Sequence, residues 1–106
     1  MTFQDFFQQV KSSLIHADVS TVADPTRIQV NITGEAGGTF YVEIKGGKLA
    51  IEPYEYHDRD VELTISDENF QKLLEGRLDP VAAFTFGKLK VQGDIGKALE
   101  LKKLIK

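Results

Sequence analysis

Apolar and polar residues alternate along four stretches in the middle of the chain. The apolar positions of the four stretches are Ile28, Val30 and Ile32, then Phe40, Val42 and Ile44, then Leu49 and Ile51, and last Val61, Leu63 and Ile65. A period of two places successive side chains on opposite faces of a β-strand. Gly46-Gly47 suits a two-residue hairpin turn, which needs positive φ angles. The first three strands are therefore predicted to form an antiparallel meander.

The alternation gives every predicted strand one apolar face and one polar face. Strands covered by helices on both sides would instead be continuously apolar. Helices are therefore expected to cover one face only. With a fifth strand predicted at residues 88–92, the pattern indicates a two-layer α+β domain.

Helical periodicity precedes and follows the strands. Residues 3–15 carry one apolar stripe after Thr2, a good N-cap, and its members are Phe3, Phe6, Phe7, Val10 and Leu14. A second helix is predicted from Ser66 to Glu75, capped by Ser66 or Asp67 and ended by Gly76. The polar connection before the first strand is expected to hold a helical turn at residues 20–23 and to end at Asp24-Pro25.

The last thirty-one residues, from Gly76 to Lys106, contain a helix, a strand and a helix in close succession. Asp79-Pro80 is expected to open the first helix and Gly87 to end it. Residues 81–86 are apolar nearly all round, which predicts a helix buried on more than one side. Gly93-Asp94 is expected to turn the chain into a final helix that runs to the chain end. Its apolar stripe is Ile95, Ala98, Leu99, Leu101, Leu104 and Ile105.

The charge is distributed unevenly along the 106 residues, whose formal net charge is −3. Residues 1–76 contain 6 Lys or Arg and 13 Asp or Glu, whereas residues 77–106 contain 7 and 3. The basic end could meet an anionic partner such as a fatty-acid carboxylate or a lipid headgroup, and it leaves a transient membrane contact open. The favoured interpretation is simpler: lysines solvate the outer side of a terminal helix and an edge strand.

Length and composition narrow the classes of protein. The chain length fits a single domain over residues 1–106. It has no cysteine, so disulfides and thiolate chemistry are excluded. It has neither an apolar run long enough to span a membrane nor a signal-peptide pattern, and a cytoplasmic location is expected. An acidic chain whose aromatic residues lie in apolar stripes gives no support to nucleic-acid binding.

The connection from Pro53 to Asp60 is the stretch richest in reactive side chains. His57, Asp58 and Asp60 are too close in sequence to form a metal site without ligands from elsewhere. An acid–base site there would lack a nucleophile with an oriented base. No phosphate-binding glycine motif and no nucleophile-elbow motif is present. A charged, solvated loop is the favoured interpretation, and an enzyme with its site at residues 54–60 is the least favoured function.

Residues 66–94 read S-D-E-N-F-Q-K-L-L-E-G-R-L-D-P-V-A-A-F-T-F-G-K-L-K-V-Q-G-D. This segment resembles the sterol carrier protein 2 domain family, in which a capped helix leads through G-x-x-x-P to a short apolar helix and a G-K-L-x-[IV]-x-G strand. The specific match covers residues 60–101, and the rest of the chain matches in the order of its elements. The matching positions are Phe70, Leu73, Gly76, Pro80, Phe84, Gly87, Leu89 and Gly93.

The resemblance implies a two-layer α+β fold with a five-stranded, mostly antiparallel (mixed) sheet, helices on one face, and an apolar tunnel between the sheet and the helices. Family members bind sterols, fatty acids, acyl-CoA, phospholipids or quinones without catalysis and without a cofactor. The terminal residues 104–106 lack the peroxisomal address common in eukaryotic members, so a prokaryotic origin and a fatty acid or acyl ligand rather than a sterol are expected. The expected ligand-binding residues are Val42, Ile51, Phe70, Leu74, Phe84, Leu89, Ile95, Leu99, Leu101 and Ile105.

Two non-catalytic functions remain open on the sequence. The first is binding and intracellular transfer of a lipid. The second is an accessory module that presents lipid or quinone intermediates to a partner enzyme. In both, the chain is expected to be a monomer or a weak homodimer. Composition cannot distinguish an apolar tunnel from a solid core, so the tunnel rests on the resemblance alone.

Overall fold

A computed structural model describes residues 1–22 and 25–105. The helices are α1 Phe3–Leu14, α2 Asp67–Leu74, α3 Pro80–Thr85 and α4 Ile95–Leu99, and a 3₁₀ helix, Glu100–Leu104, follows α4. The strands are β1 Thr26–Thr33, β2 Gly38–Lys45, β3 Lys48–Glu52, β4 Val61–Ser66 and β5 Leu89–Gly93. No helix in the described ranges is long and apolar enough to cross a membrane.

The five strands form one mixed sheet in the order β3-β2-β1-β4-β5. β1 and β4 are parallel, and the other neighbouring pairs are antiparallel. Gly46 and Gly47 have φ angles of 60° and 74°, as the predicted hairpin between β2 and β3 requires. The parallel pair requires the chain to cross from the β3 edge to β4, and residues 53–60 make this crossing. The predicted α+β class with a mixed five-stranded sheet is confirmed.

The apolar face of the sheet forms one core with the helices. The strand positions predicted to be apolar are buried, with Leu49 partly buried at the β3 edge. Phenylalanine rings from three elements meet at its centre: the ring centroid of Phe40 lies 5.8 Å from those of Phe7 and Phe70. The Phe6 and Phe70 centroids are 6.2 Å apart, edge to face. Such pairs are favourable beyond their buried area, so this cluster joins α1, β2 and α2.

Side-chain caps fix where the four α-helices begin. In each case the cap oxygen accepts a hydrogen bond from the backbone N–H three residues further on. The caps are Thr2, Ser66, Asp79 and Asp94, with donor–acceptor distances of 3.0–3.2 Å. Ser66, rather than Asp67, is therefore the cap of α2. The short polar residues in the sequence locate these helix starts to within one residue.

Glycine is required at two positions of the C-terminal third. Gly76 has a φ of 73° and lets the Arg77 N–H donate to the Lys72 carbonyl at 2.8 Å, which ends α2. Gly93 has a φ of 110°, and a Cβ there would lie 2.6 Å from the Asp60 carbonyl oxygen. The close approach brings the end of β5 against the start of β4, where the Asp94 N–H donates to the same oxygen at 3.0 Å.

The final helix is shorter than predicted. α4 ends at Leu99, and the chain continues as the 3₁₀ helix instead of reaching the last residue as an α-helix. Three residues per turn place positions i and i+3 on one side. Leu101 and Leu104 can therefore both face the core, and each is 4% exposed. The predicted turn at residues 20–23 and the Asp24-Pro25 boundary fall partly, and residue 106 wholly, outside the described residues.

Candidate functional site

α3 exposes most of its apolar side chains. Ala83 is fully buried, whereas Val81 and Phe84 are 46% and 45% exposed and Phe86, at the helix end, is 76% exposed. The prediction that this helix is buried on more than one side is wrong. α3 packs against β5, the last strand of the sheet, so no further element covers its outer side.

α4 also presents apolar residues at the surface. Ile95 is 51% exposed and Leu99 is 48% exposed, while Ala98 between them packs against the core. α4 contacts β1, β4 and β5. Lys97 Nζ donates to the Pro25 carbonyl, which holds the helix across this end of the sheet. We call the exposed set on the two helices the α3–α4 surface, and its members are Val81, Phe84, Phe86, Ile95 and Leu99.

The α3–α4 surface is continuous with the core. α3 and α4 both contact β5, whose residue Leu89 is buried. Ala83 belongs to the same buried cluster, as do Leu101 and Leu104 of the 3₁₀ helix. Lys102 Nζ lies 3.7 Å from Asp79 Oδ1, which ties the 3₁₀ helix to the start of α3. The helices that carry the exposed apolar side chains therefore also contribute residues to the core.

A second apolar feature surrounds Ile105, after the 3₁₀ helix. Three depressions share this residue, and two of them matter here: one of about 310 Å³ beside Leu74 and Leu104, and one of about 210 Å³ beside Leu78 and Pro80. We call the two together the Ile105 groove. Its first part lies between the C-terminal ends of α1 and α2, and its second part lies between the end of α2 and the start of α3.

The structure divides the ten expected ligand-binding residues into three groups. Val42, Ile51, Phe70 and Leu101 are buried in the core. Phe84, Leu89, Ile95 and Leu99 lie along β5, and Leu74 and Ile105 line the Ile105 groove. Ile51 on β3 and Gly93 on β5 lie at the two ends of one row of paired residues that crosses all five strands. Four strand spacings, or about 19 Å, separate them. The β5 group is thus well separated from Ile51, and the lining as a whole stays a prediction.

The polar face of the sheet is not simply solvated. Gln29, on that face, is only 5% exposed because residues 53–60 cross over it. Its side-chain oxygen accepts from the Tyr56 N–H at 3.0 Å, and the Tyr56 hydroxyl donates to Glu43. The Tyr41 and Tyr56 rings meet edge to face at 5.1 Å. The loop expected to be solvated is therefore partly docked onto β1 and β2.

The network extends across the polar face to β4. Asn31 Nδ2 donates to Glu62, and Arg59 donates to the other oxygen of the same carboxylate at 2.9 Å. These bonds lower the pKa of Glu62 below its ordinary value, the Asn31 bond contributing most. The hydrogen bond to Glu43, together with burial, raises the pKa of Tyr56 above its ordinary value of 10.0. Burial, with the carboxylates of Glu52 and Glu43 adding to it, also raises the pKa of Tyr41.

Removing the Tyr56 hydroxyl should destabilise the protein at neutral pH more than at high pH. Because the folded-state pKa is raised, the contribution is present below about pH 10 and is lost as the pH rises through the folded-state pKa. Tyr56→Phe should cost about 1.5–3 kcal/mol at pH 7, since the lost bond is made to a carboxylate. Urea unfolding from pH 7 upwards would measure this. The difference in unfolding free energy between the variant and the parent should shrink above pH 10. Tyr41 is present in both proteins, so its own titration is common to the two measurements. Tyr54→Phe, at an exposed loop position, is the control; a constant difference would contradict the assignment.

Nothing in the polar loop forms a metal centre among the residues that the structure describes. His57, Arg59, Asp60 and Glu62 line a shallow depression of about 600 Å³ beside Gly93. Acidic and basic groups are mixed in it, and Glu62 is already bonded to Arg59 and Asn31. The residues that line the depression include no nucleophile with an oriented base. Their hydrogen bonds and ion pair instead hold the loop and the strand together.

Sequence reasoning missed two kinds of residue. Val81 and Phe86 were not expected at a binding surface; a six-residue helix with apolar residues on every side is itself a signal, since one neighbouring strand cannot cover all of them. The partners Gln29, Glu43 and Tyr56 were also missed. They are 13 to 27 residues apart in sequence, and no local pattern connects them.

The chain is thus a two-layer α+β domain with exposed apolar side chains on two helices that contact its edge strand β5. The sequence profile of the SCP-2 sterol transfer family matches residues 3–106. The chain therefore belongs to this family, whose fold is a lipid-binding fold. The family resemblance seen in residues 66–94 is confirmed, whereas a prokaryotic origin stays a prediction.

Known proteins of this fold occur alone and within longer chains. The hydroxysteroid dehydrogenase-like protein 2 of Rattus norvegicus is 39% identical in an alignment 106 positions long, which covers 96% of this chain and 19% of that protein. The chain thus spans about a fifth of that relative. The solution structure of palmitated SCP2L2 from Aedes aegypti has a TM-score of 0.71 at 21% identity, covering 97% of this chain and 93% of that one. The UbiJ-SCP2 ubiquinone synthesis protein has a TM-score of 0.69 at 16% identity, covering 96% and 90%.

Proposed function

We propose that this domain binds one fatty acid or fatty acyl derivative without catalysing a reaction. The acyl chain enters between α3, α4 and β5. The observation that carries the proposal is the α3–α4 surface: four of its side chains are about half exposed on two helices that contact one edge strand. Membership of a lipid-binding family supports the proposal. So does the palmitate on a mosquito protein of the same fold.

The free energy of binding would come mainly from removing methylenes from water. Each buried methylene contributes about 0.8 kcal/mol, so ten contribute about 8 kcal/mol before the ordering of ligand and protein is subtracted. A Kd of about 1 μM corresponds to about 8 kcal/mol, so micromolar binding is the tightest that we expect. An apolar space discriminates poorly between chain lengths, so specificity for one acyl length should be low. A rigid sterol ring system is the less favoured ligand.

The ligand's acidic head would remain at the surface. Lys102, on the 3₁₀ helix close to the start of α3, is half exposed beside Asp79. A carboxylate or a phosphate could take part of this pairing, because an ion pair this exposed contributes little to stability and is easily exchanged. This arrangement favours acyl ligands with an anionic group over neutral lipids.

The direct test is displacement of a fluorescent fatty acid from the purified chain, together with native mass spectrometry of the protein as isolated. We expect one ligand per chain, a Kd in the micromolar range and competition by palmitate. Neutral palmitoyl methyl ester should compete less well. Repeated spectra without an adduct, together with no displacement by palmitate, would rule the proposal out.

A second candidate function is the presentation of a bound lipid or quinone intermediate to an enzyme. The match to about a fifth of a dehydrogenase-like protein favours it, since there a domain of this kind is part of a longer chain. The UbiJ-SCP2 neighbour is named as a ubiquinone synthesis protein, and the likeness to it extends to the fold alone. Transfer between donor and acceptor vesicles would favour the carrier role. Release only in the presence of an enzyme would favour presentation.

The proposal includes a cytoplasmic location, a single domain over residues 1–106, and a monomer or weak homodimer. Sedimentation equilibrium would determine the oligomeric state. The absence of catalysis is part of the same proposal, because the five residues of the α3–α4 surface are apolar and none of them is a nucleophile.

A further inference from the structure

We propose that the sheet edge formed by β5, together with the adjoining end of α3, docks onto the surface of an anionic phospholipid bilayer. We call this surface the β5 edge, and Phe86 would enter the headgroup region from it. Phe86 is the most exposed large apolar side chain of the described residues, at 76%. It stands at the end of α3, immediately before Gly87, whose φ is 77°, and it is not among the described side chains that pack against the core. An aromatic side chain held at a protruding turn is suited to insertion at a membrane interface.

The charges next to Phe86 match an anionic surface. Lys88 and Lys90 follow it in sequence and are exposed. Neither forms a salt bridge within residues 1–22 and 25–105. Residues 77–106 contain 7 basic and 3 acidic residues, against 6 and 13 in the rest of the chain. This excess of basic residues would favour the approach of the C-terminal third to negative headgroups.

The N-terminal helix does not offer a comparable surface. The apolar stripe of α1 is buried, with Phe6, Phe7, Val10 and Leu14 at most 2% exposed. Its exposed side consists mainly of glutamines and serines. Withdrawing α1 from the core to meet a bilayer would expose the phenylalanine cluster to water. The β5 edge needs no such rearrangement, because its apolar residues are already at the surface.

The docking surface adjoins the opening proposed for the ligand. Phe84 lies two residues before Phe86 on the same helix, and Leu99 lies on the other helix that contacts β5. A bilayer against Phe86 would therefore face the space between α3 and α4. This role in lipid exchange rests on the proposed function, whereas docking itself requires no bound ligand.

The chain has no tryptophan, so Phe86→Trp provides a single reporter. With vesicles of equal parts phosphatidylcholine and phosphatidylglycerol, its emission should shift to the blue. Pure phosphatidylcholine should give a much smaller shift, and high salt should reverse the shift. Tyr54→Trp, in the loop on the polar face, should not respond. No response from the Phe86 reporter, or an equal response from both reporters, would overturn the proposal.

Charge reversal tests the same surface without altering Phe86. Lys88→Glu with Lys90→Glu should lower vesicle partitioning at least about tenfold, since each lysine near an anionic surface changes binding several-fold. The matched control is Lys45→Glu with Lys48→Glu, at the hairpin on the opposite edge of the sheet, which should change partitioning less than about twofold. Equal losses in the two variants would contradict docking through the β5 edge.

Fatty-acid displacement in vesicle-free buffer, measured on the same variants, separates the two proposals. Retained displacement with lost vesicle binding supports docking by this surface and shows that the variants fold. If the parent chain binds vesicles through the β5 edge but binds no fatty acid, the docking proposal stands and the proposed function fails. If the parent binds fatty acid in solution but partitions onto neither vesicle type, the docking proposal fails alone.

Discussion

Replacing Phe70 with alanine is expected to lower the free energy of unfolding by about 3–5 kcal/mol. The ring is 1% exposed and its centroid lies 5.8 Å from that of Phe40 and 6.2 Å from that of Phe6. Its removal would leave a cavity where α1, β2 and α2 meet. Domains of this size have total stabilities of about 5–15 kcal/mol, so the variant would be close to unfolding at ambient temperature. Urea denaturation followed by circular dichroism would measure the change.

Phe86→Ala is the matched control for Phe70→Ala. The chemical change is the same, but Phe86 is 76% exposed, so its removal should change the stability by no more than about 0.5 kcal/mol. A similar cost at both positions would mean that Phe86 is buried in solution. That result would restore the expectation of an α3 buried on more than one side and would remove the basis for the docking surface.

Local sequence patterns predicted the strands and the helix starts because local interactions determine them. Ser66 and Asp79 each cap a helix through a bond to the third residue along the chain. Gly46 and Gly47 adopt positive φ in a turn that closes on itself. Alternation along β1 and β4 shows which face is apolar, so the two-layer architecture follows without knowledge of distant contacts. None of these features depends on where the rest of the chain lies.

The environment of α3 could not be predicted in the same way. Periodicity reports how many sides of a helix are apolar, and neighbouring elements determine how many of those sides are covered. α3 lies at β5, an edge strand, so Val81 and Phe84 lack neighbours on their outer side. The strand order β3-β2-β1-β4-β5 is a property of the whole sheet, and it alone places β5 at an edge. Apolar residues without a covering element are the observation from which the binding surface was inferred.

On the polar face of the sheet, the sequence pattern predicted an exposed side chain where the structure has a buried one. Gln29 alternates correctly with Ile28 and Val30, and alternation predicts a solvated side chain. It is buried because the crossover between β3 and β4 passes over it and Tyr56 bonds to it. A parallel pair such as β1 and β4 always requires a crossover, but the face that the crossover follows depends on the fold. A buried glutamine with both side-chain groups bonded helps to hold the loop in one position.

The candidate site could be predicted in part, because residue type and burial do not determine proximity. Val42 and Ile51 are correct as apolar positions of the dry face. They belong to strands at or next to the far edge, whereas Leu89 belongs to the edge strand at the other side. A lipid bound between α3, α4 and β5 would therefore use the β5 group first. The deeper residues would be reached only by a chain that extends across the sheet.

Introducing a carboxylate at Leu99 is expected to weaken fatty-acid binding at least tenfold. Leu99 is half exposed on α4 beside β5, where the acyl chain is proposed to enter. Burying a leucine side chain against a ligand contributes about 1.5–3 kcal/mol, which corresponds to about tenfold to a hundredfold in Kd. Leu99→Asp removes that contact and adds a charge that repels an acidic ligand. Because the position is already half exposed, folding should be affected much less than binding. Displacement of a fluorescent fatty acid in vesicle-free buffer would measure the Kd.

Two further variants locate the opening. Tyr54→Asp changes an exposed aromatic residue in the loop on the polar face and should leave the Kd unchanged. Ile105→Asp places the same charge in the Ile105 groove, between the ends of α1 and α2. If Leu99→Asp weakens binding and Ile105→Asp does so less, the ligand enters beside β5. The reverse order, in variants whose unfolding free energies are close to the parent's, would place the opening at the Ile105 groove and leave α3 and α4 as a surface for other contacts.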